Sequence, residues 1–270
     1  MAAKKRRPTR SKTRGRERRI SLIPARPRGY RASDLLILYA LFMLINRSVH
    51  GLFGFPAVDR PVSGAAAIIV HSSILALVSY IYLVRYAGDD VGWSGPSRLQ
   101  VDATASPVGV RLAWVLVGGG AVWLASTAGV RALVAAMQRA GAGLDPWELG
   151  TVGQLIARGH QQGFWPFLLL IVGVVVAAPL GEELLFRRCF YQIIIEGLGG
   201  QTLAVAGSGL LFAFTHGEPM AMLRAALAGV TYAYAYRQTH SVTVCVLMHA
   251  VFNVLALMAV VLDWGPWFMP

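Results

Sequence analysis

The sequence predicts an all-α, polytopic membrane protein of six or seven transmembrane helices. Three observations carry that prediction. Of 270 residues, 56% are hydrophobic and only 14% are charged, where a soluble domain carries about a quarter charged; mean hydropathy is +0.55. Apolar runs recur at lengths near the ~20 residues a helix needs to cross a bilayer. The formal charge of +12 is confined to one end. Residues 1–31 hold thirteen Lys or Arg and one acid, Glu17 (13 − 1 = +12), leaving twelve Arg and twelve acids for the other residues (25 − 13 and 13 − 1). A basic tail on a neutral, apolar body excludes both an ordinary cytosolic enzyme and a disordered chain.

The elements follow in order. Residues 1–31, which include Lys4-Lys5-Arg6-Arg7, mix Arg with Pro, Thr and Gly without an apolar period. They read as a disordered cytoplasmic tail that fixes the N-terminus inside and lies against anionic headgroups. No aromatic-basic interleaving accompanies the charge, so no specific nucleic-acid partner is expected. A cleaved signal peptide is not expected either, because the basic stretch is long and the apolar run lacks a small-residue exit. Residues 32–270 read as a single transmembrane domain. Its expected spans are 34–56 (interrupted by Arg47 and His50), 63–86, 110–137, about 164–197, 201–216, 220–237 and 241–262. Between 138 and 162, Pro146 could start a short interfacial helix. Gly207, Gly209, Ala225, Gly229 and Ala233 read as close-packing positions between membrane helices. Cys189 and Cys245 sit in apolar stretches and are expected as free thiols.

Ionisable groups inside spans are costly and face a protein interior or a water-filled cavity. Few are present: His71, Glu182, Glu183, Arg187, Arg188, His216, Arg224 and His249, with Asn253 beside them. Glu182 and Glu183 point about 100° apart on a helix, so they cannot share one task. Glu183 lies four residues before Arg187 and is expected to pair with it, which frees Glu182 to face a cavity. His249 and Asn253 share a face by the same spacing, as do Phe212 and His216. Glu182 precedes Gly197 by 15 residues and His216 follows Gln201 by 15. Both then lie about 22 Å from the intervening turn. His249 is about eight residues into its span, roughly 12 Å deep, and needs a tilt or an extended span to join them. His71 reads as a packing histidine, and Arg224 as the partner of Glu218 or a snorkelling side chain.

A carboxylate, two imidazoles and a carboxamide in an intramembrane cavity suggest activated water. Glu182 takes a proton with help from His216, while His249 and Asn253 donate to a developing oxyanion. The set Glu182, His216 and His249 equally suits one zinc ion with water in the fourth position, so the cofactor is either none or one divalent metal.

These residues resemble the motifs of the CAAX-protease and bacteriocin-processing (CPBP, or Abi) intramembrane endopeptidases. E-E-x-x-x-R stands as Glu182-Glu183-Leu-Leu-Phe-Arg187, F-x-x-x-H as Phe212-Ala-Phe-Thr-His216, and H-x-x-x-N as His249-Ala-Val-Phe-Asn253. The resemblance covers about residues 163–262. It implies a glutamic or metallo-endopeptidase of a bacterial inner or plasma membrane. Its substrate would be a membrane-anchored or lipidated protein, cut near the C-terminus. It also implies Glu182 and His216 as water activators and His249 and Asn253 as the oxyanion site, with Glu183 and Arg187 in support. Two other classes use the same groups: a proton-coupled transporter, and a non-catalytic immunity or sorting partner. A serine-type reading through Ser208 and His249 is weak, because Ala206-Gly207-Ser208-Gly209 lacks the first Gly of a rhomboid-like motif.

Overall fold

A computed structural model describes residues 29–54, 58–93, 106–141 and 151–262. The tail expectation for residues 1–28 therefore lies outside the described residues, as does the proposed helix start at Pro146. Counting uninterrupted helical stretches as single elements, the described residues form eight helices and no strand. Five are long and apolar enough to cross a membrane: α1 (Ala32–Phe53), α2 (Pro61–Ala87), α3 (Val108–Arg139), α5 (Phe164–Leu198) and α8 (Val242–Val261). The others are α4 (Thr151–Gln162), α6 (Gln201–Phe214) and α7 (Pro219–Thr239). The chain is an integral membrane protein, and its surface says so too: Leu36, Leu52, Leu116 and Trp165 stand exposed, where only lipid would shield them.

All seven expected spans are helical. Two of them do not meet the span criterion on their own: α6 is short, and α7 carries Arg224 and Arg237 at opposite ends of a stretch rich in Ala, Gly and Tyr. These two pack against each other, with Leu203, Leu210, Phe214, Leu227 and Tyr234 exposed on their outer faces. A Cβ on Gly229 would stand 2.7 Å from the Gly209 carbonyl oxygen, and one on Gly209 would stand 2.7 Å from the Val230 nitrogen. Only glycine permits that backbone approach, which is the packing role expected of both residues. α4 is amphipathic and buries Leu155 and Ile156.

Local chemistry sets the helix ends. Pro61 and Pro219 open α2 and α7, where a missing N–H costs nothing. Ser241 caps α8 by accepting from the Val244 N–H. The core is largely aromatic around α5, with Phe186 packed edge-on against Phe42, Phe190 and Phe212. Cys189 and Cys245 are buried free thiols, as expected.

α5 is irregular where it matters. Its α-helical turn Ala178–Glu183 lies between two π-helical stretches, Val172–Ala177 and Leu184–Phe190. Pro179 has no N–H to give, so the Val174 carbonyl, which the i→i+5 pattern would pair with residue 179, lacks that main-chain partner.

Candidate active site

Glu182 and Glu183 end the α-helical turn between those π stretches. Just before them, a Cβ on Gly181 would collide with the Ser72 carbonyl oxygen of α2. The absence of a side chain at 181 presses α5 onto α2 and fixes where the two carboxylates emerge. Their environments differ as the 100° offset requires. The Glu183 side chain is fully buried, whereas that of Glu182 keeps 21% of its surface accessible and lines the cavity.

Glu183 bridges two partners. Arg187 Nε donates to its Oε2 across 2.7 Å, and His249 Nδ1 lies 3.0 Å from its Oε1. The expected ion pair with Arg187 is present, and the histidine is the partner that sequence spacing missed. The Arg187 guanidinium also lies over the rings of Phe212 and Tyr232, and its Nη1 reaches Ser208 Oγ at 3.4 Å. Ser208 is thus a buried neighbour of the ion pair.

His249 sits between the acids. Its Nδ1 faces Glu183, its Nε2 is 3.9 Å from Glu182 Oε2, and its ring stacks on Tyr232 with centroids 5.4 Å apart. The depth mismatch expected from helix lengths does not arise. The turn before α8 is sunk into the protein, with Thr239, Ser241 and Val242 buried. It is covered by residues 92–93, whose carbonyls accept from Val242 N, Thr243 N and Ser241 Oγ. The α5–α6 turn around Gly199 is exposed instead. Eight residues of α8 therefore reach the level that α5 reaches in fifteen.

His216 follows α6. Its Nδ1 is 3.0 Å from the Phe212 carbonyl oxygen, so Nδ1 carries the hydrogen and Nε2 is the acceptor of the neutral ring. Asn253 Nδ2 donates to the Val174 carbonyl across 2.7 Å, supplying the hydrogen bond that Pro179 cannot. One amide N–H is left over.

Glu182, His216, His249 and Asn253 line one cavity of about 570 Å³. Asn46, His50 and His71 line it as well. His50 and His71 face each other with ring centroids 5.5 Å apart. His71 is buried against Phe42, yet it belongs to the cavity wall. The i, i+4 spacing of Asn46 and His50 on α1 was the available signal for this second polar group. Arg224 is also on the wall and within the electrostatic reach of Glu218, whose Oε1 accepts from Thr151 N and Oγ1 at 3.1 and 2.5 Å.

Among the described residues, no group of three or more His, Cys, Asp or Glu is arranged to hold a metal ion. His249 Nδ1 is held by Glu183 with its Nε2 3.9 Å from Glu182, and His216 Nδ1 turns to the Phe212 carbonyl, so the Nε2 atoms of both rings and the Glu182 carboxylate are the donors turned to the cavity.

A helical membrane fold holding an acid, two imidazoles and a carboxamide at a buried cavity defines the class of protein with polar chemistry inside the bilayer. The class narrows at residues 164–255, which match the family described as Type II CAAX prenyl endopeptidase Rce1-like, so the CPBP resemblance of the three motifs is borne out there. That family is one of proteases, and peptidase is the activity it supports. No curated protein and no solved structure matches the chain.

Proposed function

We propose that the chain is an intramembrane endopeptidase that hydrolyses a peptide bond near the C-terminus of a membrane-anchored or lipidated protein, using water activated at Glu182. The observation that carries the reading is the convergence of Glu182, His216, His249 and Asn253 on one cavity, within the segment that matches a CAAX endopeptidase family.

The residues divide the work as follows. The Glu182 carboxylate takes a proton from water while His216 Nε2 accepts the water's other hydrogen. The oxygen attacks the scissile carbonyl carbon, and the carbonyl electrons move onto its oxygen. That oxyanion receives the free Asn253 N–H and lies against the His249 ring, which Glu183 holds in place. On collapse the C–N bond breaks, and the proton held by Glu182 goes to the leaving nitrogen. Glu183 and Arg187 touch no substrate and hold His249 in place. This route uses the chain's own residues alone, and metal analysis of the purified protein checks it. The basic tail places the N-terminus on the cytoplasmic side.

The test is cleavage of membrane-protein C-termini by cells or proteoliposomes carrying wild-type or Glu182→Gln protein. The substitution keeps the side chain's shape and removes the base. Product should vanish while the folded protein is recovered in normal amount, and full cleavage by Glu182→Gln overturns the mechanism.

A further inference from the structure

We propose that Arg224 is an anion subsite of the same cavity and binds the terminal α-carboxylate of the bound peptide. This rests on the endopeptidase reading. Arg224 lines the cavity, and its buried Nε–H has no hydrogen-bond partner. The acid nearest in sequence, Glu218, acts on Arg224 through its charge but is not hydrogen-bonded to it, and its Oε1 accepts from the backbone and hydroxyl of Thr151. The side chain is half-buried with its Nε–H unbonded, and an arriving ligand that brings two oxyanion oxygens satisfies it through paired charge-assisted hydrogen bonds. A carboxylate and a lipid phosphate share this chemistry. The carboxylate is favoured because it is the one anion that every peptide end carries whatever its sequence.

The register along α7 agrees. Arg224, Ala225, Ala228 and Tyr232 all line the cavity, with the two small alanines between the larger side chains. Tyr232 stacks on His249. Eight residues of helix separate Arg224 from that level, about 12 Å along the axis. Extended peptide covers this distance in three or four residues at about 3.5 Å each. α7 thereby sets how far from its C-terminus a peptide is cut.

The experiment measures binding in the uncut background. Full-length Glu182→Gln protein in phosphatidylcholine nanodiscs is titrated with a fluorescent S-farnesyl peptide that ends three residues beyond the farnesylated cysteine, as the free acid or the C-terminal amide. The acid should bind about 10- to 100-fold more tightly. Adding Arg224→Gln should bring that ratio to about one, and Arg224→Lys should restore part of it. An unchanged ratio in Arg224→Gln, equal binding of acid and amide, or no binding of either overturns the assignment. Competition by phosphatidylglycerol that depends on Arg224, without acid–amide discrimination, assigns the subsite to a lipid headgroup and also overturns it. Peptide cut by Glu182→Gln in the same samples marks failure of the water-activation mechanism and leaves the binding ratio readable.

Discussion

Glu183 Oε1 lies 3.0 Å from His249 Nδ1 while its other oxygen holds Arg187 at 2.7 Å. The second glutamate of the motif thus ties the imidazole on α8 to the buried cation on α5, and the first glutamate is left facing the cavity. Replacing Glu183 with Gln keeps the shape but strands Arg187 without its counter-charge. The expected outcome is a loss of about 3 kcal/mol of stability and a fall in kcat of about 100-fold with little change in KM. The same kcat loss should not add to that of His249→Ala, because both act through one imidazole. Purified variants assayed for kcat, KM and thermal unfolding check all three points.

A second buried ion pair fastens the end of α2 to α5. Asp89 pairs with Arg188 and accepts from Tyr30 Oη at 2.8 Å and from the Asp90 N–H at 2.9 Å. Burial by itself would raise the Asp89 carboxyl, but the Arg188 guanidinium, the tyrosine hydroxyl and the amide outweigh it and hold the group below the usual carboxylate range. A depressed acid contributes stability that is complete above the ordinary aspartate value, near 3.9, and is lost as pH falls through the folded value. Wild-type protein in micelles should therefore lose Tm as the pH drops below about 4. Asp89→Asn should be less stable at pH 7 by about 3 kcal/mol and should lack this acid-dependent step.

Much of this was legible in the sequence, and the exceptions have physical causes. Apolar runs located every span, and the i, i+4 rule found Glu183 with Arg187 because both lie on one helix. The same rule cannot see that Glu183 also holds His249, since that contact joins residues 66 apart through packing. Helix length misjudged His249 because it assumes turns at equal depth, whereas residues 92–93 cover a sunken turn before α8. Arg224 feels the charge of Glu218, as their shared stretch of chain suggests, but the hydrogen bonds of that acid go to Thr151 of α4, which no local spacing shows. The π-helical stretches of α5 leave no pattern in hydrophobicity.

His240 caps α7 in the left-handed region at φ 49°, the sole residue other than glycine there among the described residues. Its N–H reaches the Tyr236 carbonyl at 2.7 Å, as a helix C-cap requires, and its buried Nδ1 finds no partner. Glycine adopts this conformation without the Cβ clash. His240→Gly is expected to stabilise the protein by about 1 kcal/mol, a rise in Tm of about 2 °C for a chain of this size, with cleavage unchanged. A fall in Tm would mean that the ring's packing against Tyr236 outweighs the relief.

The contact between α6 and α7 gives the opposite result for a glycine. A Cβ at Gly229 would stand 2.7 Å from the Gly209 carbonyl oxygen and 3.0 Å from the Phe212 ring. Backbone cannot yield as a flexible side chain does, so the two helices must separate. Gly229→Ala should cost about 1–3 kcal/mol. The damage should reach the site, because the Phe212 ring packs edge-on against both His216 and His249, at 4.8 and 5.6 Å between centroids. Gly129→Ala on α3 is the matched control: nothing lies within 4 Å of its added Cβ, and helix propensity alone should raise stability by about 0.5–1 kcal/mol. Thermal unfolding and cleavage of the two variants separate a helix-packing effect from a general intolerance of alanine. If Gly229→Ala matches Gly129→Ala in both measurements, close approach at Gly209 does not position the two histidines.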